Sequence, residues 1–160
     1  MFFWFIGLGF LGVVLVFRSP ALDYRVVVGG TLLPLVDVVA PWPPVLHTLL
    51  APVSVLAAVM LATRQRRLVR RRWLGLPIGM LMHLVLDATW STTELFWWPA
   101  FGVDLPEVAL PTVGRGAVGV VMELVGVAVI AWSWKRFGLD DPTRRAELVH
   151  DGRLDRDLVG

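Results

Sequence analysis

Apolar residues run along this chain in five stretches, roughly Phe2–Phe17, Val26–Ala40, Val45–Ala62, Trp73–Trp90 and Gly116–Trp134. The last three approach the ~20 residues that a helix needs to cross a hydrocarbon core. The first carries no basic segment before it and no small-residue cleavage site after it, so it is expected to be retained as a helix and not removed as a secretory signal. The second is shorter and is interrupted by Gly29-Gly30 and Pro34, the pattern of a broken or re-entrant helix. The expected architecture is an all-α, polytopic transmembrane helical bundle of about five apolar segments, with the second one short or broken. Residues 1–136 would form the membrane domain and residues 137–160 a polar cytoplasmic tail.

Composition makes this expectation stronger. Of the 160 residues 56% are hydrophobic and eight are Trp, while the 18% that are charged lie mostly outside the apolar stretches. The absence of cysteine excludes disulfides and thiolate metal ligands. Arg64, Arg66, Arg67, Arg70, Arg71 and Arg72 fall between two apolar stretches and Lys135-Arg136 follow the last one, so both places are expected on the cytoplasmic side. The Ser91–Arg115 connection, with Glu94, Asp104 and Glu107, is then outside, as is the N-terminus. That describes a multi-pass protein of the inner or plasma membrane. Between two spans an arginine run is a topology determinant and an anionic-lipid contact, so nucleic acid is not an expected partner. Trp90, Trp97, Trp98 and Phe101 fit an interfacial belt that could also seat a lipid, and Gly114, Gly116 and Gly119 fit close helix packing.

Against this background the costly residues are Asp37, His47, His83 and Asp87, ionisable groups within or at the ends of apolar stretches. On a helix, His83 and Asp87 would lie about 40° apart in azimuth and ~6 Å apart along the axis, on one face. In the expected topology all four fall near the outer boundary, and Glu123 lands at the depth of His83. Two imidazoles with two or three carboxylates suit a divalent metal, Zn²⁺ first and Mn²⁺ or Fe²⁺ next. Such an ion would activate water against an ester or phosphoryl group, with Glu123 or Glu94 as candidate base. Plainer roles compete. A membrane His commonly hydrogen-bonds a neighbouring helix, Asp37 could cap the broken helix, and Glu123 could be a ligand, a base or a protonated packing residue. The alternative to a hydrolase is a non-catalytic membrane subunit or assembly factor whose polar cluster holds helices together or meets a membrane-protein partner. A transporter ranks third, since the spans are few and no internal repeat is present.

Leu33-Pro34-Leu35-Val36-Asp37, Leu46-His47-Thr48, His83-Leu84-Val85-Leu86-Asp87 and Trp98-Pro99 resemble, in order and spacing, the motifs of the YdjM-like family of inner-membrane-associated metal-dependent hydrolases. The resemblance covers roughly residues 29–102. It implies that Asp37, His47, His83 and Asp87 bind metal; the expected substrate, a membrane lipid or a lipid-linked ester or phosphoester, follows from the membrane location alone. Two family positions depart from the pattern: Leu35 stands where the family has the first Asp of an acidic pair, and Trp42 where it has a His. The resemblance therefore implies a divergent member, holding fewer ions or having lost catalysis.

Overall fold

The computed structural model describes residues 1–106 and 110–155, and Glu107 of the acidic connection lies outside the described residues. Helices α1 (Phe2–Phe17), α2 (Tyr24–Leu32), α3 (Val36–Val39), α4 (Leu50–Ala62), α5 (Arg67–Trp73), α6 (Gly75–Leu86), α7 (Thr93–Phe96), α8 (Pro111–Gly114), α9 (Gly116–Arg136) and α10 (Pro142–Asp151) follow one another, with no strand among the described residues. The all-α class is therefore observed. Asp23 caps α2 by accepting from the backbone N–H groups of Arg25 and Val26. The second apolar stretch is broken as its composition implies: α2 passes into a 3-10 turn at Leu33–Leu35, which carries Pro34, before resuming as α3.

Two other stretches differ from expectation. Residues Val45–His47 form a 3-10 turn and the chain extends at Thr48 (φ −86°, ψ 152°), so His47 precedes α4 and is not part of it. The arginine run is not a loop either: Arg67–Trp73 is helical and Leu74 keeps helical dihedrals (φ −59°, ψ −23°) into α6. By length and composition one helix, α9, could cross a membrane; α1 and α4 are apolar but shorter. Of the 21 residues of α9 only Gly126 and Ser133 are buried, and Val118, Val120, Val121, Leu124 and Trp132 are exposed. An apolar helix so little covered leaves a broad apolar surface without a partner in the rest of the described chain.

Helix α6 is central, packed against α2, α1 and α4, while α9 packs on the outside of α1. Two glycine pairs permit these approaches. A Cβ on Gly30 would fall on the carbonyl of Leu76, and one on Gly79 would fall on the carbonyl of Val27, so the α2 and α6 backbones touch. Gly7 and Gly126 do the same for α1 and α9. Of the three glycines expected to pack near the start of α9, Gly114 and Gly116 have open space around them, while a Cβ on Gly119 would meet the Met1 side chain at ordinary contact distance (3.7 Å).

The array has two chemically distinct ends, separated by about the length of α1, roughly 24 Å. One end holds a cluster of Val13, Val14, Leu22, Tyr24, Val27, Phe137, Leu139 and Leu154. There Asp23 accepts from Arg25 and pairs with Arg72 Nε at 3.0 Å. Arg25 in turn donates to the carbonyls of Val149 (2.8 Å) and His150 (2.7 Å), closing the C-terminal turn of α10. The carboxyl of Asp23 feels two opposed effects. Burial raises its pKa, but the Arg25 guanidinium and the capped N–H groups outweigh burial and hold it below the ordinary value. The other end holds the start of α1, the end of α6, His47 and His83.

Candidate metal centre

His83 sits in the last turn of α6 and Asp87 is that helix's C-cap, still in helical conformation (φ −81°, ψ −9°). The four-residue spacing therefore carries both side chains to one face. Ala88 then turns the chain with a left-handed φ of 57°. His47 arrives from the 3-10 turn opposite. His47, His83 and Asp87 are all fully buried and their potential ligand atoms lie within 4.8 Å of one another, so this group could hold a metal ion. His47 Nε2 is 4.0 Å from Asp87 Oδ2, and the two imidazoles meet edge to face with centroids 5.2 Å apart. Ligands around a tetrahedral ion with bonds of 2.0–2.1 Å stand about 3.3 Å apart, so side-chain adjustments of an ångström or so would close the cluster.

Each imidazole is held by its other nitrogen. His83 Nδ1 donates to the carbonyl of Thr31 at 2.6 Å, a contact made possible by the Gly30–Gly79 approach. Thr31 lies in the last turn of α2, where carbonyls lose their in-helix donors. The ring also stacks on Phe5, 4.0 Å between centroids. His47 Nδ1 donates to Asp37 Oδ2 at 3.0 Å. Both tautomers then leave Nε2 with a free lone pair, and both Nε2 atoms are buried with no hydrogen-bond partner. A buried acceptor without a donor is costly, and two of them converging on a buried carboxylate are arranged as metal ligands are.

Asp37 differs from the role expected of it. Its Oδ1 accepts from Trp42 Nε1 (2.9 Å) and its Oδ2 from the backbone N–H of Leu46 (2.7 Å) as well as from His47. It stands behind His47, orienting the ring, and does not enter the three-residue group. Trp42 thus serves this carboxylate.

The two candidate bases are not in the cluster. Glu123 is spent on the start of α1, pairing with the Met1 amine at 2.9 Å and accepting from the Phe3 N–H at 2.7 Å. It lies near the right depth, but the unpaired donors of a helix N-terminus claim it first. Glu94 is exposed beside a surface hollow of about 350 Å³ that Trp98, Phe101 and Asp104 also line.

Three neighbours of Asp87 escaped the sequence reading. Thr112 donates to Oδ1 at 2.6 Å, Thr89 to Oδ2 at 3.4 Å, and Arg115 lies 3.4 Å from Oδ1 while also donating to the Asp87 carbonyl. The available signal was Arg115 itself, the lone base of an acidic connection, placed beside an apolar span. Compared with protein families, curated proteins and solved structures, the chain matches none.

Proposed function

We propose that this protein is a membrane-embedded, metal-dependent hydrolase acting on an ester or phosphoester of a lipid-linked substrate. The observation that carries the reading is the pair of buried, unpartnered Nε2 atoms of His47 and His83 facing Asp87. An ion held by these three ligands would keep a fourth position open, as catalytic centres do and closed structural ones do not. A divalent ion there, Zn²⁺ before Mn²⁺ or Fe²⁺, would supply Lewis acidity and activate water. The chain's own groups do the rest: Asp37 and the Thr31 carbonyl fix the imidazole tautomers, and Thr89, Thr112 and Arg115 fix the Asp87 carboxylate.

The membrane part of the proposal is a multi-pass bundle with the metal centre near the outer face. It is supported by the bare apolar surface of α9, by exposed Trp90, Trp97 and Phe101 on the connections near the site, and by the arginine-rich end lying opposite. The resemblance of residues 29–102 to the YdjM-like hydrolases belongs to the same proposal.

The test is metal analysis of the purified protein, followed by incubation with outer-leaflet lipid extracts with and without chelator. About one ion per chain and a chelator-sensitive product in mass spectra are expected, both lost in His83→Ala while the protein still inserts. Absence of a bound ion, or a stoichiometric co-purifying membrane protein with no product from a broad extract, would overturn the reading in favour of a non-catalytic subunit.

A further inference from the structure

Arg115 is placed so that it bears on what the metal centre can accept. One amino group of its guanidinium, Nη2, is spent on Asp87, through the backbone carbonyl and Oδ1. Among the described residues the other, Nη1, meets only the thioether sulfurs of Met1 (3.7 Å) and Met122 (3.8 Å). Thioethers are weak acceptors, so strong, permanently charged donors beside the centre lack an acceptor of matching strength among the described residues. The Arg115 side chain is 18% exposed, whereas His47, His83 and Asp87 are fully buried.

Charge narrows the choice further. Metal binding through Nε2 requires both imidazoles neutral, and Asp37 and Asp87 contribute two negative charges that a dication cancels. Counting the described residues, Arg115 then leaves the centre with one positive charge, the nearby Glu123 being balanced by the Met1 amine. In a buried setting an unbalanced charge is expensive, and a ligand of one negative charge restores neutrality. A carboxylic ester brings none, and a phosphomonoester brings nearly two at neutral pH.

We propose that the substrate is a phosphodiester, bound with one non-bridging oxygen at the metal centre and the other accepting from Arg115. Arg115 is on this view a substrate-binding residue that sets the class of ester. The proposal rests on the hydrolase reading above, and it predicts discrimination that the reading alone does not.

The experiment loads the purified full chain with Mn²⁺ and follows paramagnetic relaxation of the ³¹P nucleus in diethyl phosphate, methyl phosphate and short-chain phosphatidylglycerol. Bound Mn²⁺ is checked by electron paramagnetic resonance, and folding of each variant by its thermal transition. Enhancement should be larger for the two diesters than for the monoester. Arg115→Gln should weaken diester binding about tenfold or more with Mn²⁺ retained, and Arg115→Lys, which keeps the charge, less so. Equal response to diethyl phosphate and phosphatidylglycerol, or preference for the lipid, both support diester recognition, and the second adds a contribution from the acyl chains. With Mn²⁺ bound, an equal or greater response to methyl phosphate, no response to any probe, or an Arg115→Gln chain that behaves like the parent overturns the phosphodiester assignment and leaves the metal centre standing. Should Arg115→Gln fail to fold, the comparison among probes on the parent and on Arg115→Lys decides alone. Failure of the parent chain to retain Mn²⁺, or retention unaffected by His83→Ala, removes the metal centre and this inference with it.

Discussion

Replacing Asp37 with Asn distinguishes an orienting carboxylate from a ligand. The change keeps shape and removes one charge. Asp37 accepts three hydrogen bonds, two on Oδ2 and one on Oδ1, whereas an amide has a single acceptor oxygen. With that oxygen facing Leu46 and His47, the new NH2 group points at Trp42 Nε1, donor against donor. The ring of His47 keeps a neutral acceptor in place of a charged one. A charge-assisted hydrogen bond contributes about 1.5–3 kcal/mol, roughly twice a neutral one, so the expected loss at His47 is on the order of 1–2 kcal/mol. That corresponds to a tenfold or somewhat larger loss of metal affinity, within the ~10–100-fold typical of outer-shell changes. Chelator competition on the detergent-purified protein measures it, with the thermal transition recorded with and without metal. An unchanged affinity would refute the orienting role. A loss near a thousandfold, the scale of one whole ligand, would show that Asp37 coordinates directly.

Gly79→Ala puts a methyl group against the backbone of Val27 and Thr31, which no side-chain rotation relieves, so it should destabilise by ~1–3 kcal/mol and weaken metal binding through the Thr31–His83 contact. Gly29→Ala on the open side of the facing helix α2 should instead be neutral or stabilising by about 0.5–1 kcal/mol in a denaturation series, and equal effects at the two sites would discredit the close approach. Because the Asp23 pKa is depressed in the folded protein, its contribution is fully present above the ordinary carboxyl value of 3.8 and is lost as pH falls through the lower folded value. Acid should therefore release α10 from Arg25, read as protease accessibility of residues 142–151, and Asp23→Asn should already show that accessibility at neutral pH; a pH-independent digest would count against the link. Cysteine labelling should find position 68 cytoplasmic and position 104 outside, and the reverse pattern would overturn the proposed orientation.

Local pattern carries a good part of this protein. Continuous apolar stretches determine that it is helical, because each peptide group within the helix body can be paired with its own neighbours whatever surrounds it. Pro34 determines the break in the second stretch by removing a donor, and four-residue spacing determines that His83 and Asp87 share a face. The ionisable groups stand out because burial among apolar neighbours is expensive wherever the helices go. What each group does was decided by the tertiary structure. The Gly30–Gly79 contact determines that His83 is oriented by a backbone carbonyl, and a 3-10 turn after Pro43-Pro44 brings His47 against Asp37, making that carboxylate a support. Glu123, at a suitable depth, is drawn to the N-terminus of α1, and Arg115 reaches Asp87 only because α8 and the start of α9 lie over the end of α6. Depth along a helix follows from counting residues, but a hydrogen-bond partner depends on helix rotation, crossing distance and the return path of loops, which short-range pattern does not encode.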